Sequence, residues 1–192
     1  MEGESLQIPD LCGILDRFGV LAPMSTASRV GLVAAGRVLK LDSGEYAQWE
    51  GEQSPGLCCL VRGQLRFSSI DESGGEIIIH IGYAGTWFGQ TMFDGPPAVS
   101  AIAMVPSEVF VVSENQIRSL IATDPQVALF VIRSLICVSR DVIRRLKGLL
   151  TVPSEAVVAC LLQQLVDGLP RRAASTPCNC PMRTSPACAD CP

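Results

Sequence analysis

The sequence predicts a mainly β fold with helices: a double-stranded β-helix, or jelly roll, followed by one long helix. Three observations carry this. Between Arg37 and Val112 apolar residues recur in short runs with a period of two. Glycine groups separate the runs: Glu50-Gly51-Glu52, Asp71-Glu72-Ser73-Gly74-Gly75-Glu76 and Gly85-Thr86-Trp87-Phe88-Gly89-Gln90. Glycine suits such tight turns because it takes positive φ without a steric penalty. After Ser113 the period becomes 3.6 and holds to about Leu150.

Taken in order, residues 5–22 place Leu11, Ile14, Leu15 and Phe18 at helical spacing, which predicts a short amphipathic helix. Pro23 interrupts it. Ser25 or Thr26 caps a second short helix running to about Ala35, with Gly36 as its C-terminal stop. Strands follow at Val38–Leu41, Tyr46–Trp49, Leu57–Val61, Leu65–Phe67, Ile77–Ile81, Val99–Val105 and Glu108–Val112. About eight short strands at near-regular spacing fit a roll or jelly-roll barrel rather than an α/β sheet. Ser113 with Gln116 three positions on makes a capping-box spacing for a helix to about Ala122. Asp124-Pro125 then opens the longest helix, an N-cap aspartate with proline in the first turn.

In that helix Ala128, Ile132, Leu135, Ser139, Val142, Leu146 and Leu149 step by four and three, a heptad seam. Leu129, Phe130, Ile136 and Ile143 add apolar surface beside it, and Arg133, Arg140, Asp141, Arg144, Arg145 and Lys147 confine the polar face. A helix with this much apolar area can pack on its own barrel and on a second copy together, so a homodimer is expected.

Composition agrees with a folded core: 48% of the 192 residues are hydrophobic and 18% charged. No uncharged stretch reads as a membrane span, and the start Met1-Glu2-Gly3-Glu4 is not a secretory signal, so a cytoplasmic protein is expected. A net charge of −4 and a pI near 5.0 give no electrostatic footprint for nucleic acid. One histidine, His80, argues against a metal-dependent cupin-type enzyme, and no nucleophile–base pair is evident, so no enzyme activity is expected. The bland reading of His80 is a strand histidine with one face to solvent. Of nine cysteines, Cys12, Cys58, Cys59, Cys137 and Cys160 lie in apolar runs and read as small hydrophobes.

The glycine ordering, with Leu60-Val61-Arg62-Gly63-Gln64-Leu65 inside it, resembles the effector domain of the Crp/Fnr family of bacterial transcription regulators over roughly residues 10–167. The resemblance implies a cyclic nucleotide-binding-like roll and dimerisation through the long helix, by Ile132, Leu135, Ser139, Val142, Leu146 and Leu149. It also implies that residues 151–168 begin a DNA-binding domain. Relatives that bind cyclic nucleotides carry a Gly-Glu pair for the ribose hydroxyl and an Arg-Ser pair for the cyclic phosphate. Gly89-Gln90 and Val99-Ser100 stand at those places. Valine cannot neutralise an anion, so the expected pocket of Gly89, Gln90, Val99 and Ser100 is degenerate, with no tight cyclic nucleotide binding and an unknown small effector.

The expected organisation is therefore a helical segment 1–36, a roll 37–122, a dimerisation helix 123–150, a first helix of a truncated DNA-binding domain 151–168 and a disordered Cys/Pro-rich tail 169–192. Past Gly168-Leu169-Pro170 no helical periodicity supports a recognition helix, so direct DNA binding is not expected. The tail holds Cys178, Cys180, Cys188 and Cys191 at spacings that suit zinc or an iron–sulfur cluster. Its abrupt onset near Arg172 also suits an out-of-frame translation of GC-rich DNA. Apart from the metal-responsive tail, the main alternative is a truncated subunit that heterodimerises with a full-length paralogue.

Overall fold

The computed structural model describes residues 8–19, 21 and 23–151. Two short helices, α1 (Ile8–Arg17) and α2 (Thr26–Ala34), lead into eight strands: β1 (Arg37–Leu41), β2 (Tyr46–Gln48), β3 (Leu57–Arg62), β4 (Gln64–Ile70), β5 (Glu76–Tyr83), β6 (Trp87–Phe88), β7 (Ser100–Ala103) and β8 (Ser107–Val112). Helices α3 (Glu114–Thr123) and α4 (Pro125–Thr151) follow. The strands form two antiparallel four-stranded sheets, ordered β1-β8-β3-β6 and β2-β7-β4-β5. This is the expected jelly roll.

Strand β3 explains why the roll has two cores. Leu57 through Val61 are all buried, because the first sheet lies between the helices and the second sheet. Side chains alternate along a strand. Leu57, Cys59 and Val61 join Phe110, Val112 and the helices, while Cys58 and Leu60 join Val109, Val111 and Phe67 between the sheets. An unbroken apolar run is the signature of a strand covered on both faces.

The caps read from the sequence are present. Ser25 accepts a hydrogen bond from the Ser28 N–H at 3.1 Å. Gln116 Oε1 accepts from the Ser113 N–H at 3.1 Å, and Asp124 Oδ1 accepts from the Gln126 N–H at 3.0 Å. Gly36 is a correction. It does not end α2 with a left-handed residue; a Cβ there would run into the Phe110 ring. Trp49 is another, since it lies beyond β2, half exposed and stacked on Tyr46. Cys137 is a third: it is exposed rather than a core hydrophobe.

The seat of α4 decides the shape of the chain's second half. Val127, Phe130, Val131 and Ser134 are buried, the first three in the core that the helices share with the first sheet. Phe130 meets Trp87 edge to face at 4.9 Å, and Trp87 meets Phe110 the same way at 6.5 Å. Beyond Ser134 the helix is largely open to solvent: Asp141 apart, residues 135–147 are all exposed. Of the apolar residues flanking the heptad seam, Phe130 thus belongs to the chain's own core, whereas Leu129, Ile136 and Ile143 are open to solvent. The side chain of Leu149, the helix expected over 151–168 and the tail fall outside the described residues.

Phe130→Ala is expected to destabilise the fold by about 3–5 kcal/mol, because a fully buried aromatic leaves a cavity at the helix–sheet joint. Urea unfolding measures it; a loss below about 1 kcal/mol would mean that α4 is held by something else.

Candidate functional site

The four residues expected to form an effector pocket lie on two arms around a short 3-10 turn, Gln90–Phe93. Gly89 follows β6 with φ +82°, and a Cβ on it would collide with the Gly56 carbonyl, so glycine is needed there twice over. Gln90 opens the turn. Its side chain is buried, and its Nε2 has no hydrogen-bond acceptor among the described residues. Val99, on the second arm, is half-buried against the core between the sheets, and its carbonyl accepts from Gln48 Nε2 at 2.9 Å. Ser100 starts β7 opposite Ser68 of β4.

What occupies this corner is a carboxylate. Ser100 Oγ accepts the Glu50 N–H at 3.0 Å. The Glu50 side chain accepts from Ser69 Oγ at 2.7 Å and from the Ile70 N–H at 3.2 Å. The arm therefore has an uncharged side chain at Val99, a Ser100 hydroxyl that accepts a backbone N–H, and a carboxylate held on the neighbouring strand β4. Glu50 was not singled out by the sequence, where it reads only as part of a turn. Its place is set by the β7–β4 pairing, which brings Ser100 and Ser69 to it across the sheet.

His80 sits on β5, paired with Phe67, and the two rings stack in parallel at 4.3 Å. Burial pushes its pKa down to about 4, and the positive charge of Arg145 on α4 acts in the same direction. The imidazole is therefore neutral near pH 7. The Cys58 thiol is pushed up to about 12 and that of Cys59 well above its usual value, both by burial first, so neither is a ready thiolate. Among the described residues no three His, Cys, Asp or Glu side chains gather as a metal site, and no helix is long and apolar enough to cross a membrane. Cys178, Cys180, Cys188 and Cys191 lie outside those residues. A shallow surface groove of about 350 Å³ opens near the turn, between Gly51–Ser54, Met92, Gly95, Pro96 and Glu114.

Residues 38–124 match the family described as "Cyclic nucleotide-binding domain". No curated protein sequence matches the chain. Among solved structures, a cyclic nucleotide-binding domain from Methylobacillus flagellatus KT is similar at 18% identity over 70% of this chain and 80% of that one, with a TM-score of 0.62. The sensor domain of the transcriptional regulator DNR from Pseudomonas aeruginosa is similar at 22% identity over 76% of this chain and 97% of that one, TM-score 0.59. The catabolite activator protein of Thermus thermophilus is similar at 19% identity over 68% of this chain, which spans 62% of that protein, TM-score 0.59. At these identities the likeness is one of fold: a β-rich cyclic nucleotide-binding jelly roll with a long helix after it. The matched family and these neighbours are regulatory domains rather than enzymes.

The depressed pKa of His80 links stability to pH. The folded value, about 4, lies below the ordinary 6.5. The stability it lends is complete above pH 6.5 and is lost as pH falls toward 4, by about 3 kcal/mol. His80→Phe, which keeps the stack on Phe67, is expected to flatten that part of the profile. Urea midpoints between pH 7.5 and 4 measure it; equal slopes in both proteins would show that His80 is not desolvated.

Proposed function

We propose that this chain is the effector-sensing and dimerising part of a Crp/Fnr-like transcription regulator, and that its effector is not a cyclic nucleotide. The observation that carries the second statement is the corner of Val99, Ser100 and Glu50. A cyclic phosphate needs a cation there, and a guanidinium suits it because its fork donates two charge-assisted hydrogen bonds. This chain has valine in that place and a carboxylate alongside. Gln90 keeps a buried amide where a hydroxyl or another neutral polar group would be recognised.

Dimerisation rests on the second half of α4. Ile132, Leu135, Val142 and Leu146 along the heptad seam are 42–58% exposed, and Ser139 is exposed with them. A run of half-exposed aliphatics at heptad spacing is what a coiled-coil partner covers. In such a dimer an effector in the roll would act by shifting the population of two arrangements of the paired helices. The same seam would also accept a related full-length chain. DNA reading is no part of this proposal.

A melting-temperature screen tests the ligand reading. Cyclic AMP and cyclic GMP at 1 mM are expected to leave the transition unmoved. A ligand present at a hundred times its Kd would add about 2.7 kcal/mol and raise the transition by roughly 5–10 °C. Such a rise with either nucleotide would overturn the reading. Sedimentation tests the other part: the wild-type chain is expected as a dimer, and Leu146→Glu as a folded monomer. A monomeric wild type at tens of micromolar would contradict it.

A further inference from the structure

Two buried glutamines keep unpartnered amide atoms at one end of the roll. Gln48 is 5% exposed and Gln90 9%; among the described residues Gln48 Oε1 has no donor and Gln90 Nε2 no acceptor. A buried amide atom without a partner costs stability, because the hydrogen bond it made to water is not replaced. The sense of Gln48 is fixed. Its Nε2 donates to the Val99 carbonyl at 2.9 Å, which only the nitrogen can do, so the unpartnered atom is the acceptor. Gln90 offers the opposite, a donor.

The fold brings the two to the same end. Gln48 closes β2, and Gln90 opens the 3-10 turn after β6. Gly89 lies against the Gly56 carbonyl at the start of β3, the strand to which the loop after β2 leads, and Phe88 pairs with Cys58 there. From the turn the chain returns to the end of β2 and is held by three hydrogen bonds. The Gly51 N–H donates to the Pro97 carbonyl at 2.9 Å, Gln48 Nε2 to the Val99 carbonyl, and the Glu50 N–H to Ser100 Oγ at 3.0 Å. Phe88 and Val99 both pack in the core between the sheets. One amide thus comes from the side of each sheet, at the same end of that core.

Resting on the ligand reading above, we propose that Gln48 and Gln90 together select an uncharged effector through one group that donates and accepts at once, a carboxamide or a hydroxyl. Gln90 Nε2 needs an acceptor and Gln48 Oε1 a donor. A carboxylate only accepts and an ammonium only donates, so either would leave one of the two amides unpaired. A carboxamide presents its C=O and N–H side by side, and a hydroxyl does both from one oxygen. Half-buried Val99 beside Gln48 adds apolar surface for the rest of such a molecule. Gln48 is thereby a specificity-determining residue outside the Gly89-Gln90 and Val99-Ser100 pairs.

Probes matched in shape but not in charge test this: nicotinamide against nicotinate, with propylene glycol as the hydroxyl source. The readout is the side-chain amide NMR signals of Gln48 and Gln90 in the full chain. At roughly 10 mM, above the millimolar Kd expected of molecules this small, nicotinamide or the diol is expected to move both signals saturably and nicotinate neither. Which of the two moves them distinguishes carboxamide from hydroxyl. Gln90→Met is expected to weaken binding at least about fivefold with a melting temperature no lower than wild type, because it removes a buried donor that has no acceptor among the described residues. Gln48→Met is expected to weaken binding as much and to lose stability as well, since its bond to Val99 goes too. A melting temperature that falls in Gln90→Met as it does in Gln48→Met would show that the chain itself satisfies the amide, and overturns the proposal. So does a failure of both neutral probes to move the signals, or equal shifts by nicotinamide and nicotinate. In each of those cases the ligand reading stands as long as cyclic AMP and cyclic GMP leave the melting transition unmoved; a rise with either sinks that reading itself.

Discussion

The edge-to-face contact of Phe130 with Trp87 is the joint on which the rest depends. It ties the long helix to the first sheet within its buried stretch, Val127–Ser134. Upstream of that joint the chain is a closed roll, with its apolar residues shared between two cores. Downstream, the helix is rich in isoleucine, leucine and arginine, and residues 135–147, Asp141 apart, are exposed. Residues 135–147 keep several aliphatics in solvent, so the joint decides which part of the helix the proposed dimer would use.

The roll's interior has its own constraint. The turn after β6 holds a position that only glycine can fill, because Gly56 crowds it. On the second arm Val99 is uncharged, Ser100 accepts a backbone N–H, and Glu50 fixes a carboxylate against β4. The fold is that of a cyclic nucleotide-binding domain; the proposal that this one takes another ligand rests on that arm.

Much of this was legible in the sequence because it is local. Ser113-Glu114-Asn115-Gln116 announces a helix start by spacing alone, and Asp124-Pro125 does the same for α4. The seam Ile132, Leu135, Val142 and Leu146 is a heptad whatever surrounds it. What was not legible depends on distant packing. The two-residue strand Trp87–Phe88 is too short to show alternation. Gly36 looks like a helix stop, and only the Phe110 ring beside it gives the real reason. Glu50 looks like a turn residue until β4 and β7 bring Ser69 and Ser100 to it. Periodicity also counts Phe130 and Ile143 alike as apolar positions on α4; the roll, not the helix, decides which one is buried.

Hydrogen exchange along α4, followed over a dilution series, tests the central claim most directly. Amides of residues 127–134 are expected to stay protected at every concentration, because the roll itself holds them. Those of residues 135–147 are expected to be protected at high concentration and to lose protection together as the protein is diluted. Protection of 135–147 that does not depend on concentration would mean that the chain covers its own helix, and the account would be wrong.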